Sequence, residues 1–269
     1  MNPLRITVAG ASGRMGRTLI RALAEAEDVR LAFALERSGH PDIGNDAGAL
    51  AGLKPNRIPV SDDRLAAMAS SDAVLDFTAP EGSVALAELA AKAGIVHVIG
   101  TTGYSTEHQA RVKAAARHAV IIKSGNMSLG VNMLAALVRQ AAKALPNYDI
   151  EIVEMHHRMK VDAPSGTALM LGEAAADGRG VSLDDHEARG RAGNAGARPD
   201  GEIGFSSVRG GTVVGDHLVV LAGPFERIEL GHRAEDRMIF ARGALAAARW
   251  GYGKKPGLYS MADVLGLSE

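Results

Sequence analysis

The sequence contains no cysteine. That excludes disulfides, zinc ribbons, iron–sulfur clusters and thiol catalysis, and it fits a reducing compartment. It also lacks a charge excess: Lys plus Arg number 30 and Asp plus Glu 31, a net charge of −1. A protein that coats nucleic acid usually carries a basic surplus, so that class of partner is not expected. No apolar run approaches the roughly 18 residues of a membrane span. The opening Met-Asn-Pro-Leu-Arg-Ile-Thr-Val has neither the basic start, nor the apolar stretch, nor the cleavage site of a secretion signal. The expectation is a soluble cytoplasmic protein with no membrane partner. The 269 residues are 46% hydrophobic. This is enough for packed cores, and at about 150 residues per domain the length suggests two of them.

The first 125 residues alternate strand-like runs with helical stretches. Arg5–Ala9, Val29–Leu35, Ala73–Phe77, Ile95–Ile99 and Ala119–Lys123 read as strands. Between them, Arg14–Ala26, Gly82–Lys92 and about Glu107–His118 read as helices, the last with a capping box at Thr106 and Gln109. Strand–helix–strand alternation means a parallel sheet with helices on both faces. After Asn132 the rhythm changes. A helix over about Gly130–Leu145, a strand Asp149–Met155 and a helix Ser165–Ala176 come first. A Gly- and Arg-rich stretch, Arg189–Gly204, reads as a mobile loop that could steer anions or simply be solvated. Strands Ile203–Arg209, Thr212–Leu221 and Glu226–His232 then follow one another without helices between them, which suggests a mixed sheet. A final helix runs from about Asp236 to Trp250. The fold class expected is α/β: a doubly wound parallel sheet plus a smaller α+β domain with a mixed sheet.

Gly10-Ala11-Ser12-Gly13-Arg14-Met15-Gly16 follows the first strand and opens the first helix. A pyrophosphate must approach the backbone closely there, and a helix N-terminus offers unpaired N–H groups and a positive dipole end. The spacing is G-x-x-G-x-x-G, and alone it is a weak signal. Its context strengthens it: Glu36 ends the second strand twenty residues after Gly16, where a carboxylate can accept from a ribose hydroxyl. Arg37 follows, a cation that a 2′-phosphate would seek, so both NADH and NADPH are expected to serve. Gly100-Thr101-Thr102 and Ser124-Gly125-Asn126-Met127 each follow a further strand. They lie where ligands of open α/β sheets bind, beyond the carboxyl ends of the strands.

The segment richest in chemistry is 151–168, Glu-Ile-Val-Glu-Met-His-His-Arg-Met-Lys-Val-Asp-Ala-Pro-Ser-Gly-Thr-Ala. His156 and His157 point to opposite faces if the strand persists, and can share a pocket if the chain turns. Lys160 is close to His156 only if this piece is helical. Imidazole gives or takes a proton near neutrality, and lysine supplies a cation or a proton. Pro164 fixes a helix start at which Ser165, Gly166 and Thr167 offer N–H groups and hydroxyls to an anion. Glu151 and Glu154 read as strand-face or supporting charges. No third ligand spacing supports a metal.

This segment closely resembles the signature of the 4-hydroxy-tetrahydrodipicolinate (dihydrodipicolinate) reductase family, which serves lysine biosynthesis by the diaminopimelate route. V-A-G-A-S-G-R-M-G-R, L-E-R, G-T-T-G, G-N-M-S-L-G-V-N and I-G-F-S-S-V-R-G-G-T-V-V-G-D-H match in order, so the resemblance spans essentially the whole chain. It implies hydride transfer from NADH or NADPH to a cyclic dicarboxylate with loss of water. It also implies a homotetramer formed through the C-terminal sheet. By motif, His156 is the proton donor and acceptor, Lys160 is a second catalytic proton donor, and His157, Gly166 and Thr167 hold the substrate, joined by Ser165. The cofactor would meet residues 10–15, Glu36, Arg37, Gly100–Thr102 and Ser124–Met127. Met127 departs from the pattern, because the family more often has an aromatic residue there; both pack beside a nicotinamide ring. The domains expected are 1–126, completed by a C-terminal helical segment 238–269, and 127–237. Two rival readings are an amino-acid dehydrogenase of the same fold and a sensor that binds NAD(P)H without turnover.

Overall fold

The computed structural model describes residues 2–267, which divide into two compact units. The first takes the residues up to Leu129 together with those from Arg237 onward, and the second is Gly130–Asp236.

The first unit starts with strand β1 (Leu4–Ala9), helix α1 (Arg14–Ala24) and strand β2 (Val29–Leu35). Three short elements follow: α2 (Ala47–Leu50), β3 (Val60–Ser61) and α3 (Arg64–Ala69). Then come β4 (Ala73–Asp76), α4 (Pro80–Ala93), β5 (Val96–Ile99), α5 (Thr106–Ala115) and β6 (Val120–Lys123). The second unit comprises α6 (Leu129–Ala144), β7 (Asp149–His156), α7 (Gly166–Arg179), β8 (Glu187–Arg189), β9 (Ile203–Arg209), β10 (Gly215–Gly223) and β11 (Glu226–Ala234). The chain then rejoins the first unit as α8 (Met238–Gly251), β12 (Gly257–Tyr259) and α9 (Met261–Leu265).

The first sheet has the order β12-β6-β5-β4-β1-β2-β3, all parallel. Successive residues such as Val74 and Leu75, Val98 and Ile99, or Ile121 and Ile122 are all fully buried. Parallel strands covered on both faces need such unbroken apolar runs. One face is closed by α1 and α8, where Leu19, Ile20 and Leu23 meet Ala244, Leu245 and Ala248 in one core. Strand order reverses at β1, between β2 and β4, and this is where an open α/β sheet leaves a crevice at its carboxyl edge.

The second sheet has the order β11-β10-β7-β9-β8. β9 runs parallel to β7 and β8, and β10 runs antiparallel to β7 and β11. The mixed character arises because strands follow one another with crossovers of different kinds. Its inner face packs Ile150, Ile152, Val219 and Leu221 against Leu134, Val138, Leu171 and Ala175 of α6 and α7.

Several boundaries differ from the sequence reading. α4 begins at Pro80 rather than Gly82, because proline occupies the first turn, where no N–H is needed. The capping box of α5 is Ser105 with His108, one residue before the Thr106–Gln109 pair. The 238–269 segment is not one helix: α8 stops at Gly251, and the chain returns to the sheet as β12 beside β6. Residues 268 and 269 of that expectation lie outside the described residues. The 189–204 stretch is anchored rather than loose. Its start belongs to β8, and Arg198 bonds Asp149, Glu151 and the carbonyls of Ile150 and Glu202, while Arg191 bonds Glu151 and Glu202. These guanidinium groups are neutralised by neighbouring carboxylates, which removes the basis for anion steering by this loop.

Candidate functional site

Two clusters carry the sequence-predicted residues, one on each unit. On the first unit, β1 ends in the glycine loop. Gly13 N–H donates to the Gly10 carbonyl at 3.0 Å, and Ala11 N–H to Leu35 at 3.1 Å. Gly13 caps α1 without any side-chain hydrogen bond, so the first N–H groups of the helix keep no cap of their own. The Ser12 hydroxyl is buried without a partner among the described residues. A Cβ on Gly16 would sit 2.1 Å from the Gly10 carbonyl oxygen and 2.8 Å from Ala11 backbone atoms. Only glycine allows the helix to approach the loop this closely. Glu36 is folded back on the loop, its carboxylate accepting from Ser12 N–H at 3.2 Å and Arg37 N–H at 2.9 Å. An uncapped helix terminus, an orphaned hydroxyl and a carboxylate beside them fit the phosphates and ribose of a dinucleotide.

The other loops follow neighbouring strands of the same sheet edge. Thr101 is buried and accepts from the Ser83 hydroxyl at 3.0 Å, while Thr102 is exposed. Beneath them Asp76 and His97 are fully buried and meet at 3.1 Å; Asp76 also accepts from the Thr78 N–H and hydroxyl. This pair, which the sequence reading did not single out, ties the end of β4 to the start of β5. The Ser124 hydroxyl donates to the Asn126 carbonyl at 2.7 Å, and Gly125 between them is exposed. Met127 differs from its neighbours. Its side chain is 1% exposed and joins the apolar core with α8.

On the second unit, β7 delivers His156 and its flanking turn delivers Lys160. Glu154 lies two residues before His156, hence on the same face of the strand. Its Oε2 accepts from His156 Nδ1 at 2.5 Å. Arg209, opposite His156 in the register with β9, donates to both Glu154 oxygens at 2.9 and 2.8 Å. Burial alone would raise the Glu154 pKa, but hydrogen bonds from Arg209, Ser207 and His156 outweigh it and hold the carboxyl at about 2. Glu154 is therefore an anion that orients the imidazole and leaves Nε2 as the working nitrogen. Burial lowers the His156 pKa; Glu154 pulls the other way, and Lys160 and Arg209 add to the lowering. Gly215 leaves room for this ring, since a Cβ there would stand 2.9 Å from His156 Nε2.

The same carboxylate reaches the start of α7. Ser165 N–H donates to Glu154 Oε1 at 3.3 Å, and the Ser165 hydroxyl caps the helix by accepting from Ala168 N–H at 3.1 Å. His217 of β10, opposite Glu154 in the register, meets the Ser165 hydroxyl at 3.1 Å and stacks edge-on against His156 with centroids 5.1 Å apart. Burial, together with the nearby His156, pushes the His217 pKa down to about 4, so it is neutral near pH 7. Glu154 thus ties the proton-bearing imidazole and the helix terminus together. Gly166 is exposed at that terminus, with nothing within 4 Å of its missing Cβ. His157 has left the strand and is half-buried, and a turn closed by Lys160 N–H to the His157 carbonyl at 3.0 Å replaces the helical geometry considered for Lys160. The Lys160 ammonium rests on Asp162 at 2.9 Å.

Arg209 and His217 escaped the residue-by-residue reading because strand register, a non-local property, brings them in. Glu154 had a local signal, the period-two spacing to His156. Among the described residues, no group of three or more His, Asp or Glu side chains is arranged to hold a metal ion, and no helix is long and apolar enough to cross a membrane.

Family models for dihydrodipicolinate reductase match both parts of the chain, the N-terminal model over residues 4–127 and the C-terminal model over 130–265. The chain belongs to the dihydrodipicolinate reductase family. The 4-hydroxy-tetrahydrodipicolinate reductase of Beijerinckia indica is 64% identical over 268 residues, covering 99% of each chain. That of Rhodopseudomonas palustris strain HaA2 is 61% identical over 270 residues and covers 100% of each. Among solved structures, the dipicolinate-bound dihydrodipicolinate reductase of Paenisporosarcina sp. TG-14 superposes with a TM-score of 0.78 at 25% identity, covering 97% of this chain and 99% of that one. An amine dehydrogenase from Mycobacterium smegmatis, at 13% identity and a TM-score of 0.59, shares the fold alone. Family membership makes this chain a dinucleotide-dependent reductase.

Proposed function

We propose that the protein reduces 4-hydroxy-tetrahydrodipicolinate to tetrahydrodipicolinate, with loss of water, in the cytoplasm, using either NADH or NADPH. The observation that carries this reading is the Glu154-held His156 beside the α7 N-terminus, in a chain matched by one reductase family along its length. Bound NADH or NADPH supplies the hydride. The α1 N-terminus and Ser12 would hold its phosphates, Glu36 would accept from its adenosine ribose, and Thr101, Thr102 and the Ser124–Asn126 turn would line the nicotinamide end, with Met127 packed in the core behind them.

The substrate ring carries two carboxylates. One is held by Gly166 and Thr167 at the start of α7, where Ser165 spends its own N–H and hydroxyl on Glu154, Ala168 and His217 and so shapes the terminus; His157 offers a ring nitrogen and Lys160 an ammonium. Hydride addition leaves electron density on the ring that must be quenched by a proton. His156 delivers it from Nε2, with Glu154 on Nδ1 stabilising the imidazolium beforehand; Lys160 is the second donor.

The pH dependence follows from this arrangement. In the free protein the His156 pKa is lowered by burial and neighbouring cations. A bound dianion raises it. The reactive species is the protonated ring, so activity falls as pH rises. The fall in kcat/KM, which reports the free enzyme, is expected at lower pH than the fall in kcat. Steady-state profiles of both parameters test this; coincident or reversed limbs would remove His156 from the role.

Arg37→Ala is expected to weaken NADPH about 10-fold or more while changing NADH little, because a cation beside Glu36 matters only when a 2′-phosphate is present. Fluorescence titration of both nucleotides checks it, and equal losses would take Arg37 out of the site.

The assembly proposed is a homotetramer. The outer face of the mixed sheet aligns Val153 and Met155 of β7 with Leu218 of β10 and Val208 of β9, and no helix of the same unit covers it. A partly exposed apolar sheet face of this kind suits a second copy.

A further inference from the structure

A cleft of about 210 Å³ opens beside the glycine loop on the first unit, walled by Gly10, Glu36, Arg37, Arg64 and Leu86 among others. The sequence reading placed Glu36 and Arg37 at the nucleotide. Arg64 comes from a segment that it left unassigned. The backbone explains its arrival. β3 pairs with the end of β2 through Ala34↔Val60 and Leu35↔Ser61, and Glu36 N–H donates to the Ser61 carbonyl at 2.9 Å. The two segments therefore leave the sheet side by side, one toward Arg37 and the other toward Arg64. Asp63 then caps α3, its carboxylate accepting from Ala66 N–H at 2.9 Å, so Arg64 begins the helix at the cleft wall.

The charges are informative. Asp63 is turned onto its own helix, and Asp62 is the other acid of this turn, exposed to solvent. Neither the Arg37 nor the Arg64 guanidinium has a carboxylate partner among the described residues. Some other arginines of this unit are neutralised, as Arg5 is by Asp72, Arg111 by Glu88 and Arg249 by Asp28. A ribose with free hydroxyls needs the Glu36 carboxylate and no cation. A 2′-phosphate beside Glu36 meets like charge, and two guanidinium groups offset it where one only balances the glutamate.

We propose that Arg64 is a second specificity-determining residue of the nucleotide site, which grips the 2′-phosphate of NADPH together with Arg37. This rests on the dinucleotide reading above, and the test separates the two. Calorimetric titration of the full chain uses adenosine 2′,5′-bisphosphate and 5′-AMP as probes, alongside NADPH and NADH. Arg64→Ala and Arg64→Gln are each expected to weaken the bisphosphate and NADPH about 10-fold, and 5′-AMP and NADH less than about 2-fold. The Arg37→Ala/Arg64→Ala double variant should bind the bisphosphate no better than 5′-AMP. Melting curves of the variants should match that of the parent, since Arg64 is exposed.

Equal losses for both probes would mean that Arg64 contacts the adenine instead, and would overturn the proposal. So would an unchanged bisphosphate affinity. In both cases retained NADH binding would leave the dinucleotide reading standing. A parent chain that binds none of the four nucleotides would end both readings.

Discussion

His156→Ala is expected to lower kcat by about 100-fold or more with little change in KM, the usual cost of losing a positioned proton donor. The residue is 8% exposed, so the ring is partly accessible while most of it is packed. Its Nδ1 is committed to Glu154 at 2.5 Å, which leaves Nε2 as the nitrogen able to serve a substrate. Glu154 keeps both Arg209 hydrogen bonds when the ring is removed, so the carboxylate is not left as an unpaired buried charge. Folding should therefore survive, and a melting curve checks that it does. NADPH affinity, measured separately, should be unchanged, because the nucleotide residues belong to the other unit. A variant with full turnover would discard the assigned role.

Gly16→Ala should be as damaging by a different route. The new methyl would need to occupy space 2.1 Å from the Gly10 carbonyl oxygen and 2.8 Å from both the Ala11 Cα and its carbonyl oxygen. All three are backbone atoms, so no rotamer change relieves the clash. The loop must open or α1 must move away, and either shift displaces the N–H groups that would meet the pyrophosphate. The expected results are a loss of at least about 100-fold in affinity for both NADH and NADPH and a lowered melting temperature, since overpacking a rigid contact typically costs about 1–3 kcal/mol. Equal retention of both nucleotides would show that the glycine loop is not a phosphate site.

The two halves of the chain were unequally legible. In the first, Ile6, Val8, Leu75, Val98 and Ile122 form apolar runs bounded by glycine or polar turns, and helical periodicity between them marks the parallel sheet directly. The short elements α2, β3 and α3 lay below the length at which periodicity is informative, and with them Arg64 was missed. In the second, strand positions were readable but their pairing was not. β9 inserts beside β7 although β8 and a charged loop precede it, and only that register sets Arg209 against His156 and His217 against Glu154. Sequence motifs named His156 and Lys160; what orients His156 is written in strand pairing, which depends on residues about fifty to sixty positions away. The anchored 190–202 loop makes the same point, because its arginines find Asp149 and Glu151 across the sheet rather than along the chain.

The most direct test is to follow NADPH or NADH absorbance with the full chain and freshly generated 4-hydroxy-tetrahydrodipicolinate. The expected result is cofactor oxidation that depends on this substrate, matches it in stoichiometry and nearly vanishes in His156→Ala. A folded chain that binds the nucleotide yet leaves it reduced in the presence of that compound would contradict the account.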